Sequence, residues 1–122
     1  MDPWLSRLRH DLVKRAVWSA RDLRETGREP GPADVLELRG GLFELRDGEG
    51  RVVSARELWQ ELCREAPPLP AAALDSFGRT LEHAERSVAG LATQMQSWRE
   101  AVDAVLRIET AFAALARTLE EE

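Results

Sequence analysis

The chain has one cysteine, two histidines and one lysine in 122 residues, and those scarcities exclude a good deal. A lone thiol, Cys63, cannot form an internal disulfide, and it fits a reducing compartment. Two histidines, His10 and His83, with one cysteine give no zinc-ligand spacing. Glu82-His83 lacks the Glu-x-x-His step of a bundle di-iron centre, so no metal or cofactor is expected. No apolar run approaches the roughly 18–20 residues that span a bilayer, so no membrane partner is expected. Neither a phosphate-cradling glycine loop nor a nucleophile elbow occurs. The opening Met1-Asp2-Pro3-Trp4 has no basic flank followed by an apolar block, so no signal peptide is expected and the cytoplasm is the expected location.

What is present is charge and helix-forming sequence. The formal charge is −5, unevenly spread: residues 1–29 carry seven basic and five acidic groups, 30–69 five and eight, and 70–122 five and nine. An acidic body behind a mildly basic first segment lacks the concentrated basic face of a nucleic-acid binder. Sixteen of the seventeen basic residues are arginine, Lys14 being the other, which suggests a GC-rich bacterial genome. Length allows one helical domain over residues 1–122.

The longest signal lies between Pro70 and Leu119. Leu74, Phe77, Leu81, Ala84, Val88, Leu91, Met95 and Trp98 recur at steps of three and four, and Ala101, Val105, Ile108, Phe112, Leu115 and Leu119 follow from a shifted origin. A single helix there would be about 75 Å long, against about 35 Å for a compact chain of this size. The slip in register and the Ser97-x-x-Glu100 capping box instead predict a helical hairpin turning between Gly90 and Ser97. One long coiled-coil helix is the alternative.

Upstream, Asp2-Pro3 starts a helix that should end at Thr26 before Gly27. Leu5, Leu8, Leu12, Val13, Ala16, Val17, Ala20 and Leu23 form its apolar face. Arg28 to Pro32 reads as a linker. Pro32 opens a second helix, expected to reach Leu45 despite Gly40-Gly41 and to be followed by a loop, in preference to a small hairpin around Gly48-Glu49-Gly50. Ser54-x-x-Glu57 caps a third helix through Leu58, Trp59 and Leu62, which the prolines after Ala66 stop. The expected fold is therefore all-α, a bundle of four to five helices with a long C-terminal helical hairpin.

Chemistry is sparse. His10-Asp11 on a helix resembles the phospho-accepting box of histidine kinases over two or three residues, and that likeness implies a phosphotransfer or signalling role for His10. Val13 and Arg15 stand where such boxes carry a basic residue and a proline. The Asp47-Gly48-Glu49-Gly50 stretch is similar to a calcium loop in composition, but counting from Asp47 puts Leu58 where a bidentate glutamate is needed.

The unusual residue is Trp18. Helical angles put it opposite the apolar face, with Lys14, Arg15, Arg21 and Asp22 one turn away and Trp4 towards the same side. A tryptophan among arginines has the composition of a binding hot spot. Trp18, Arg15, Arg21, Lys14 and Trp4 are accordingly the expected partner-binding residues of a non-catalytic interaction module, either a homo-oligomer or a small subunit of a bacterial assembly. A small subunit of a nucleoprotein complex is a further alternative, against which the acidic balance weighs.

Overall fold

The computed structural model describes residues 3–65, 70–91 and 98–121; the side chains of residues 3–5, 62, 65 and 119–121 are not among those described. Asp2, Met95 and Ser97, and the side chains of Trp4, Leu5, Leu62 and Leu119, therefore lie outside the described residues.

The first helix runs in three parts: α1 (Pro3–Leu12), a π-helical turn (Val13–Val17) and α2 (Trp18–Thr26). Its apolar spacing explains the change of geometry. Leu8, Leu12, Ala16 and Ala20 recur every four residues and Leu23 three later, and all five are buried. Four residues of α-helix overshoot a full turn by about 40°, so three such steps would swing Ala20 about 120° away from Leu8. A wider turn, bonded from i to i+5, absorbs that drift. Its signature is the N–H of Trp18 reaching the carbonyl of Val13. Gly27 ends α2 at φ 65°, in the left-handed region, and its N–H caps the Leu23 carbonyl at 2.9 Å.

Helix α3 (Pro32–Phe43) folds back along the first helix. Proline opens it, and Asp34 Oδ2 accepts the Gly31 N–H at 2.9 Å. The double glycine does not stop it. A Cβ on Gly41 would sit 2.6 Å from Ala16 Cβ and 2.9 Å from Ala16 Cα, so Gly41 is what lets the two backbones meet.

The expected continuation to Leu45 fails. Helix α3 ends at Phe43, and a two-stranded antiparallel hairpin follows, β1 (Leu45–Arg46) pairing with β2 (Val52–Val53) in the register Leu45 to Val53 and Arg46 to Val52. An isolated hairpin would be marginal. Here Leu45 is buried in the core and Val53 packs against it. Asp47 Oδ1 accepts the N–H groups of Glu49 and Arg51, both at 2.9 Å, and fixes the turn.

In α4 (Ala55–Glu65) the Glu57 N–H donates to Ser54 Oγ at 3.2 Å, the bond expected of the cap. Ala55, Leu58 and Trp59 turn inward.

The chain then forms α5 (Ala71–Gly90) and α6 (Trp98–Glu121). They pack along each other, which makes this pair a helical hairpin and excludes the single rod. Phe77, Leu81, Ala84, Val88 and Leu91 of one arm share a buried cluster with Ala101, Val105, Ile108, Phe112 and Leu115 of the other. Phe77 sits between Trp59 and Phe112, with ring centroids 4.4 and 4.6 Å away. The first helix and α4 close over this pair, and the result is an all-α bundle. Trp98 is only half buried: it packs against the core with the Arg99 guanidinium 5.1 Å from its ring centroid.

Candidate interaction surface

Trp18 is 63% exposed, on the side of α2 away from the buried Ala16, Val17, Ala20 and Leu23. No segment among the described residues folds over it. The three cations placed beside it on sequence grounds behave differently. Arg15 is drawn towards α3, with Nε donating to Glu37 Oε2 at 3.3 Å and Nη1 4.0 Å from Glu44 Oε2. Arg21 is drawn the other way, 3.9 Å from Glu109 on α6, a carboxylate it shares with Arg9 at 3.3 Å. Lys14 is exposed and makes no ion pair among the described residues. The indole therefore stands between two arginines held sideways by acids of neighbouring helices, and it is not enclosed by them.

Asp22, the fourth neighbour, bonds Arg28 at 3.0 Å; Arg28 also reaches Asp34 at 2.6 Å. That guanidinium ties the end of α2 to the start of α3. Beside it, and hydrogen-bonded to Gly31 as well, the Asp34 carboxyl is held down at about 2.

The sequence reading missed the acids that place Arg15 and Arg21, because their pairing is set by helix packing and not by spacing along one helix. It also missed Leu36, which is 67% exposed on α3. A signal for it existed: Val35, Leu38 and Leu42 share one face of α3, and Leu36 falls opposite.

Other candidate chemistry is not assembled. His10 is exposed, and among the described residues no carboxylate hydrogen-bonds its ring. Cys63 is exposed as a residue, yet partial burial pushes its thiol above the ordinary value, away from the reactive thiolate. Asp47, the first position of the calcium-like loop, is spent on its own turn and on Arg51 Nε at 3.0 Å. Among the described residues, no group of three His, Cys, Asp or Glu side chains is placed to hold a metal, and no helix is long and apolar enough to cross a membrane.

A cleft of about 450 Å³ between α5 and α6 is lined by Asp75, Ser76, Arg79, Thr80, His83 and Arg107. Its Thr80 hydroxyl donates to the Ser76 carbonyl and Asp75 pairs with Arg79, so neither group is poised against His83. A second cleft, of about 210 Å³, lies where Arg24, Gly27, Trp98, Arg99 and Asp103 meet. No protein-family model, curated protein or solved structure matches this chain.

Proposed function

We propose that the chain is a non-catalytic protein–protein interaction module of the cytoplasm, and that Trp18 is the centre of its contact surface. The observation that carries this reading is the 63% exposure of Trp18 on a helix that buries Leu8, Leu12, Val17 and Leu23. Leaving an indole in water forgoes roughly 1.5–3 kcal/mol of burial. A partner that covers it recovers this, and Trp and Arg are the residues that most often dominate such contacts. Arg15, hydrogen-bonded to Glu37 at 3.3 Å, is partly ordered before a partner arrives, while Arg21 lies 3.9 Å from Glu109. Lys14 adds an exposed cation at the edge. Trp4, one of the expected contact residues, has its side chain outside the described residues.

A photo-crosslinking amino acid at position 18, expressed in the native host, tests the reading. Adducts are expected at position 18 and not at exposed Arg86 on α5. Equal labelling at both positions, or none at either, overturns it.

A further inference from the structure

We draw no further inference here: the strongest candidate, the outer face of the α2–α3 pair where Trp18 and Leu36 are exposed, is an apolar face without net positive charge, its acids Glu37 and Glu44 sharing Arg15 and Asp22 and Asp34 sharing Arg28, and nothing in the structure shows what covers it.

Discussion

The backbone N–H of Arg56 donates to Glu85 Oε1 at 2.9 Å, so a carboxylate from α5 caps the first turn of α4. Glu85 is one of two buried charged residues among those described, the other being Asp47. The bond joins helices whose apolar faces already meet through Trp59 and Phe77. Burial pushes the Glu85 carboxyl above its usual range, and the Arg56 hydrogen bond offsets this only in part. Its protonated form is therefore favoured by folding. The resulting stabilisation is present below the unfolded value and is lost as pH rises through the folded one. Glu85→Gln, which keeps an acceptor and removes the charge, should be more stable than the native chain at about pH 7 and lose that advantage near pH 4. Glu85→Ala removes the acceptor and should cost about 1–3 kcal/mol at either pH. Urea unfolding of all three proteins at both pH values decides this, and a pH-independent gap between native and Gln would contradict it.

Gly41→Ala should destabilise by about 1–3 kcal/mol, the usual range for overpacking. The new Cβ meets the backbone of Ala16, which cannot swing aside as a side chain would. Gly48→Ala, where nothing lies within 4 Å, is the control. Equal melting temperatures for the two variants would mean that α3 does not approach the π turn this closely.

Asp47 holds the hairpin through Glu49, Arg51 and the Arg51 guanidinium, and those bonds keep its carboxyl below the ordinary value. Stability from this group is thus present above its unfolded value and lost as pH falls through the folded one. Asp47→Ala should speed amide exchange at Glu49 and Arg51 while leaving α5 and α6 protected. Unchanged exchange at those two amides would remove Asp47 from the turn.

Phe77 joins α4, α5 and α6 at the centre of three rings, tilted against Trp59 and edge-on to Phe112. Phe77→Ala should cost about 3–5 kcal/mol, the upper range for core truncation. Phe77→Leu should cost much less. A small loss for the alanine variant in thermal unfolding would mean that the aromatic centre collapses around the cavity.

The parts of the fold that were legible in the sequence are those set by period. The stripe from Leu74 to Leu119, its slip after Met95 and the compact length together pointed to the α5–α6 hairpin. Gly27 and Ser54 marked helix ends through local chemistry alone. The hairpin at Leu45 to Val53 was legible only as the less favoured of two readings, because its strands are two residues long and its support is tertiary. Trp18 was placed outward correctly by angle. The partners of Arg15 and Arg21 could not be, since Glu37, Glu44 and Glu109 come from other helices.

The π turn means that the first helix carries one residue more than an α-helix along the same path would hold. Losing one residue from a helix ordinarily turns everything beyond the gap by about 100° and takes half the buried face out of the core. Between Val13 and Val17 the opposite holds. Removing one residue there converts the wide turn into an ordinary one and changes the apolar steps from four-four-four-three to four-three-four-three. Leu8 and Leu12 keep their bearing towards the core, and so do Ala20 and Leu23. This short stretch is thus the place in the first helix where the chain can shorten by one residue without rotating either flank, and only the residues next to Trp18 would change their outlook.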